Sequence, residues 1–198
     1  MKREFRRVLA AGCMMLLAAG TALWWGRGRL RGAETGYADI ALEDYGTITV
    51  ALAGDAAPET VDNFVSLARG GFYDGLTIYR AVEGFLMQGG APNRDGTGGS
   101  GTTITGEFAR NGFDNPLSHT RGAISMARGE DYDSASSQFF IVQEDSTYLD
   151  GSYAVFGYVV SGMEVVDQIC DAAHPADVSG RLADADQPVI ASVTIRGR

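Results

Sequence analysis

Apolar and polar residues alternate along two short stretches, 38–43 and 46–52, separated by Asp44-Tyr45-Gly46. A period of two puts every second side chain on one face of a strand, and a Gly-bearing turn between two such runs predicts a β-hairpin. The period then changes. Val61, Phe64, Val65, Leu67 and Ala68 recur at helical spacing after Pro58, with Glu59 and Asp62 early and Gly70-Gly71 behind. Proline sacrifices no hydrogen bond in a first helical turn, acids there face the positive end of the helix dipole, and glycine ends the helix. The expectation is a helix of about three turns.

Further strand-like runs lie at 76–82, 85–88, 122–127, 138–142 and 154–159, divided by turns rich in Gly, Asp, Asn and Ser. A second helix is expected at 163–170, and alternation returns at 189–195. About eight short strands with two helices predict a mainly β fold, an antiparallel barrel whose open ends are covered by helices. Pattern alone fits a two-sheet sandwich equally well.

Residues 8–26 stand apart, a nearly continuous apolar run of 19 residues behind Lys2, Arg3, Arg6 and Arg7. At helical rise the run is long enough to cross a hydrocarbon core. Three readings compete: a secretory signal cleaved between Gly20 and Ala22, a lipoprotein signal acylated at Cys13, and an uncleaved signal anchor. Most of the apolar run follows Cys13, which counts against lipidation. Leu23-Trp24-Trp25 resembles a helix entering an interfacial aromatic belt, which favours the anchor. Arg27, Arg29 and Arg31 nearly balance the four basic residues in front, and the excess of one directs the N-terminus to the cytoplasm. The expected organisation is an anchor with its basic flank over 1–32 and one folded domain over 33–198. That domain would be held outside the cytoplasm, or secreted if the anchor is cut.

Charge divides at the same boundary. Residues 33–198 keep nine of the 16 basic residues against 24 of the 25 acids, a net of −15. So acidic a domain repels phosphate backbones and anionic lipid, which argues against nucleic acid as a partner. Cys170 is the lone cysteine of this part, so no disulfide can form within it. His119 and His174 are the only histidines and neither sits in a Cys/His cluster, so no metal site is expected. The Gly-rich stretch 96–101 lacks the Lys-Ser/Thr of a phosphate loop, and Asn93 with Asp95 does not continue into a calcium loop. Ser125 and Ser137 have no histidine placed by motif to activate them, and His119 reads as a polar residue in the loop before a strand.

Five blocks carry a family resemblance. Ile78-Tyr79-Arg80-Ala81-Val82-Glu83-Gly84-Phe85-Leu86-Met87-Gln88-Gly89-Gly90 resembles the signature segment of the cyclophilins. Asp95-Gly96-Thr97-Gly98-Gly99 follows. Gly122-Ala123-Ile124-Ser125-Met126-Ala127-Arg128, with Ser134-Ala135-Ser136-Ser137-Gln138-Phe139-Phe140-Ile141, is similar to their second characteristic stretch. Leu149-Asp150-Gly151 and Val155-Phe156-Gly157 complete the series in family order, so the resemblance spans 38–196. It implies a closed eight-stranded antiparallel barrel capped by two helices and peptidyl-prolyl cis/trans isomerase activity. It further implies no cofactor, and proline-containing segments of client proteins as partners; nothing in the sequence demands more than a monomer.

Residue by residue, the resemblance makes Arg80 the catalytic arginine and Gln88 the neighbour that orients it. Phe85, Leu86, Phe140 and Leu149 match the floor of the proline pocket. Ala127, Arg128 and Gln138 match the peptide groove, and Tyr148 and Tyr153 its rim. Several positions depart from the commonest pattern: Ile78-Tyr79 replaces Phe-His, Glu83 replaces proline, Leu86 replaces methionine and Arg128 replaces asparagine. Tyr148 stands where cyclosporin-sensitive relatives carry tryptophan, which implies weak drug binding, and Tyr153 stands where histidine is common. The altered rim at Ile78, Tyr79, Glu83 and Tyr153 motivates an alternative reading, a module that binds proline peptides without turning them over.

Overall fold

The structure, a computed structural model, describes residues 36–197. The apolar run at 8–26, and with it the expected anchor helix, lies outside the described residues. Among the described residues no helix is long and apolar enough to cross a membrane.

Eight strands form one antiparallel sheet: β1 (Tyr37–Leu42), β2 (Gly46–Leu52), β3 (Thr77–Val82), β4 (Leu86–Ala91), β5 (Ala123–Met126), β6 (Phe139–Val142), β7 (Ala154–Ser161) and β8 (Ile190–Arg196). Two helices, α1 (Pro58–Arg69) and α2 (Met163–Asp171), complete the fold. The order across the sheet is β3-β4-β6-β5-β7-β2-β1-β8. The expected closed barrel is observed as an antiparallel half-barrel. Its outermost strands, β3 and β8, share no ladder, and meet through a bridge between Thr77 and Val189. Around that bridge the Ile78 N–H donates to the Pro188 carbonyl at 2.9 Å, and the Ile190 N–H to that of Leu76 at 2.8 Å.

The main core lies between one face of this sheet and the helices. Phe64 of α1 enters it with ring centroids 5.2 Å from Tyr73, 5.7 Å from Phe139 and 5.2 Å from Phe156. Such offset and edge-on aromatic contacts add to the large apolar area that each ring buries. Val165, Val166, Ile169 and Cys170 seal α2 against the same core.

No side chain beside α1 caps its start, since Ala57 occupies the N-cap. The cap comes from elsewhere in the chain. Buried Glu107 accepts from the backbone N–H groups of Glu59 at 3.0 Å and Thr60 at 2.8 Å. Two orphan donors and the positive end of the helix dipole are thus satisfied by one carboxylate.

Strand β4 extends three residues past its expected end, through Gly89-Gly90-Ala91. Glycine weakens a strand signal in sequence, yet close packing demands it here. A Cβ on Gly89 would lie 2.7 Å from Ile78 Cδ1, and one on Gly90, at φ +83°, 2.6 Å from the Ser137 carbonyl.

Candidate functional site

The side of the sheet away from the main core carries a second, smaller apolar cluster. Alternation produces it. On β6, Phe139 and Ile141 enter the main core while Phe140 and Val142 enter the second cluster, where Leu86, Ala123 and Val155 join them. Phe85, Leu117, Ala127, Leu149, Tyr153 and Tyr158 pack on its partly exposed margin. The residues expected as the pocket floor thus share one apolar cluster, with Leu86 and Phe140 buried in it and Phe85 and Leu149 packed at its margin.

The polar half of the site is a row across the sheet. Arg80 pairs with Gln88, Gln88 with Phe140, and Phe140 with Ser125 in successive strands, and direct partners in an antiparallel sheet share a face. A bulge puts Arg80 in that row. The β3–β4 register shifts between Ile78, which pairs with Gly89, and Arg80, which pairs with Gln88. The extra residue, Tyr79, reverses the alternation. Ile78 points into the main core with no exposed surface, and Arg80, two residues on, points to the opposite face. The expectation that Ile78 belongs to the rim is thereby corrected.

A directed chain of hydrogen bonds fixes the polar side chains. Arg80 Nη1 donates to Gln88 Oε1 at 3.1 Å, Gln88 Nε2 to Gln138 Oε1 at 3.2 Å, and Gln138 Nε2 to the carbonyls of Gly96 and Gly98 at 3.0 and 2.9 Å. A guanidinium can only donate, so it dictates the orientation of both amides down the chain. The Tyr79 hydroxyl also donates to Gln138 Oε1, at 2.7 Å, and burial pushes its phenol up to about 12 against the opposing charge of Arg80. Gln138 lines a cavity beside the row, with both ends of its amide engaged inside the protein. Gly96 is obligatory in this arrangement: φ is +84°, and a Cβ there would fall 2.4 Å from the Tyr79 ring.

Arg80 is partly buried, with its guanidinium carbon 5.7 Å from the centre of the Phe85 ring. Its Nε donates to the Ser179 carbonyl at 2.6 Å. Phe85 in turn stacks on Tyr148, which is 70% exposed at the outer rim. Arg128 is held differently from a free groove-lining cation. Its guanidinium carbon lies 5.0 Å from each of the Phe108, Tyr132 and Tyr153 rings, and Nε donates to the Ser152 carbonyl at 2.9 Å. A cavity of about 420 Å³ opens between Tyr79, Gln88, Ala127, Arg128 and Gln138 and adjoins the row. Among the described residues no group of three or more His, Cys, Asp or Glu side chains is arranged to hold a metal ion.

Three residues beneath the floor were not singled out as a group by sequence. His119, expected as a loop residue, is wholly buried and stacks under Phe140 with ring centroids 5.8 Å apart. Its Nδ1 lies 2.7 Å from Asp150 Oδ1, and its Nε2 3.0 Å from Ser125 Oγ. The fold thus supplies Ser125 with the histidine that no motif announced. This is nonetheless no nucleophile, because Ser125 has no exposed surface and Phe140 shares its side of the sheet. A buried histidine between a buried serine and an exposed carboxylate is a signal only once the strands are paired.

The family model described as cyclophilin type peptidyl-prolyl cis-trans isomerase/CLD matches residues 37–196. Peptidyl-prolyl cis-trans isomerase B of Bacillus subtilis is 49% identical over 131 residues, covering 66% of this chain and 87% of that protein. A peptidyl-prolyl cis-trans isomerase of Helicobacter pylori is 45% identical over 139 residues, covering 69% of this chain and 82% of that protein. Among solved structures, a cyclophilin type peptidyl-prolyl cis-trans isomerase of Cryptosporidium parvum, crystallised in the presence of the dipeptide Ala-Pro, superposes with a TM-score of 0.71 at 26% identity. The alignment covers 82% of this chain and 99% of that one. With the signature-bearing strands forming the row and floor described above, the chain belongs to the cyclophilin-type peptidyl-prolyl cis-trans isomerases.

Proposed function

We propose that Arg80 accelerates rotation about X-Pro bonds of client proteins bound across the second apolar cluster. Rotation of the imide breaks amide resonance against a barrier of roughly 18 to 20 kcal/mol. As the bond twists, the imide nitrogen regains its lone pair and becomes a hydrogen-bond acceptor. A donor fixed beside it stabilises the twisted state more than the planar one, and each tenfold in rate needs only about 1.4 kcal/mol of that difference. The carrying observation is that Arg80, tethered through Nη1 and Nε, stands in register with Gln88 and Phe140 beside the apolar floor. Phe85, Leu86, Phe140 and Leu149 seat the proline ring, Gln88 orients the arginine, and the groove with the Tyr148 and Tyr153 rim takes the flanking peptide. The Ala-Pro dipeptide present with the Cryptosporidium relative supports the substrate class.

Arg80→Ala is expected to lower kcat/KM on a chromogenic X-Pro peptide by roughly 100- to 1,000-fold while leaving thermal stability unchanged. An undiminished rate overturns the assignment. We further propose that residues 8–26 anchor the chain in a membrane, and that the domain over 33–198 assists exported or surface proteins. The apolar run and its basic flanks support this. Alkaline phosphatase fused after residue 198 is expected to be active, as it is only outside the bacterial cytoplasm. An inactive fusion overturns the orientation.

A further inference from the structure

One of the two tethers on Arg80 comes from a segment outside every motif in the sequence. The acceptor of the Nε bond is the backbone carbonyl of Ser179, 99 residues away in the connection between α2 and β8. That connection folds back as a small hairpin, bridged at Pro175 and Leu182, and lies along β3. The Ala81 N–H donates to the Gly180 carbonyl at 3.1 Å and the Leu182 N–H to the Tyr79 carbonyl at 2.8 Å, with Arg80 and Arg181 directly opposed.

The turn at 177–181 is built to present that carbonyl. Asp177 Oδ1 accepts from the Ser179 N–H at 2.8 Å, the Ser179 hydroxyl at 2.5 Å and the Arg181 N–H at 3.4 Å. The Gly180 N–H closes the turn on the Asp177 carbonyl at 3.2 Å. Gly180 has φ +88°, and a Cβ there would fall 2.3 Å from Val82 Cγ2, so no other residue fits the turn without strain. Val178, at the apex, is fully exposed and contributes no packing. The shape of the turn therefore rests on the Asp177 hydrogen bonds and on glycine, not on a buried side chain.

We propose that the 177–181 turn is a positioning element for the isomerase reaction: through the Ser179 carbonyl it fixes the plane of the Arg80 guanidinium. The role rests on Arg80 being the catalytic donor. Gln88 holds one end of the guanidinium and Ser179 the other, so the plane cannot pivot about the bond to Gln88. Nη2, which has no protein acceptor among the described residues, is left to face the imide nitrogen. Pre-orientation of this kind raises kcat because the donor need not be ordered as the bond twists.

The test uses the full chain in detergent, with kcat and KM measured on an X-Pro peptide, thermal unfolding, and the NMR signal of the Arg80 Nε–H group. Asp177→Ala is expected to lower kcat roughly ten- to a hundredfold with KM and thermal midpoint unchanged, and to shift the Nε–H resonance. Asp177→Asn, whose carboxamide oxygen can accept the same bonds, is expected to recover most of the rate, and Gly180→Ala to reproduce the loss. A slow Arg80→Ala chain beside a fully active Asp177→Ala chain overturns the positioning role alone, as does a rate loss that merely follows a fall in thermal midpoint. An Arg80→Ala chain as fast as wild type overturns the catalytic reading and this role with it.

Discussion

The His119 ring lies parallel to the Phe140 ring within 15°, at a centroid separation of 5.8 Å, and has no exposed surface of its own. Asp150 can only accept, so the imidazole carries a proton on Nδ1, and in the neutral ring that burial favours Nε2 accepts from the Ser125 hydroxyl. The base of the expected proline pocket is thus a neutral imidazole wedged between two polar partners.

Burial holds the His119 pKa below its usual 6.5, and the hydrogen bond and charge of Asp150 oppose burial without overcoming it. A base with a depressed folded pKa binds fewer protons folded than unfolded on the acid side of 6.5. Its stabilisation is therefore complete above about pH 6.5 and declines as pH falls toward the folded value. Urea midpoints taken from pH 8 to pH 5 are expected to fall with acid in the wild type and to fall less steeply in His119→Gln. Equal slopes would show that His119 does not titrate against folding.

Glu107 caps α1 from 47 and 48 positions away. Glu107→Ala is expected to destabilise the domain by about 2 kcal/mol in urea unfolding, since two helix N–H groups lose a charged acceptor. Glu107→Gln, which retains one acceptor oxygen and brings an N–H₂ against the other donor, is expected to fall between the two. A wild-type midpoint for Glu107→Ala would rule out the cap as a stabilising contact.

Arg128 orders Tyr153 at the groove edge through a guanidinium-to-ring distance of 5.0 Å. A cation–π contact of this kind is worth about 1 kcal/mol, so Arg128→Ala is expected to raise KM for peptide several-fold. Peptide kinetics in which KM is unchanged and only kcat falls would contradict this role.

Cys170 is fully buried in the main core, and burial, reinforced by the charges of Asp171 and Asp167, pushes its thiol up to about 12. Thiolate is the reactive form. In a Cys13→Ser chain, Cys170 is expected to ignore a disulfide-exchange reagent at pH 8 until denaturant is added. Prompt labelling of the folded chain would refute its burial.

Arg80 and Gln88 were legible because their motif is contiguous, and alternation alone sent Phe139 and Phe140 to opposite faces of β6. The same alternation failed between Ile78 and Arg80, where a one-residue bulge reversed it. The end of β4 was missed because its glycines carry no side-chain pattern, and the packing that requires them involves Ile78 and Ser137 on other segments.

By itself the sequence determined the element order, the family and the position of the signature motif that carries the proposed catalytic residues, since periodicity, turn chemistry and contiguous blocks act over a few residues along the chain. Only the tertiary structure decided the Glu107 cap, the burial of His119 between Asp150 and Ser125, and the second tether on Arg80 from Ser179. Each joins groups far apart in sequence or across strands, and such a contact exists only after strand register and loop closure have brought a donor within about 3 Å of its acceptor.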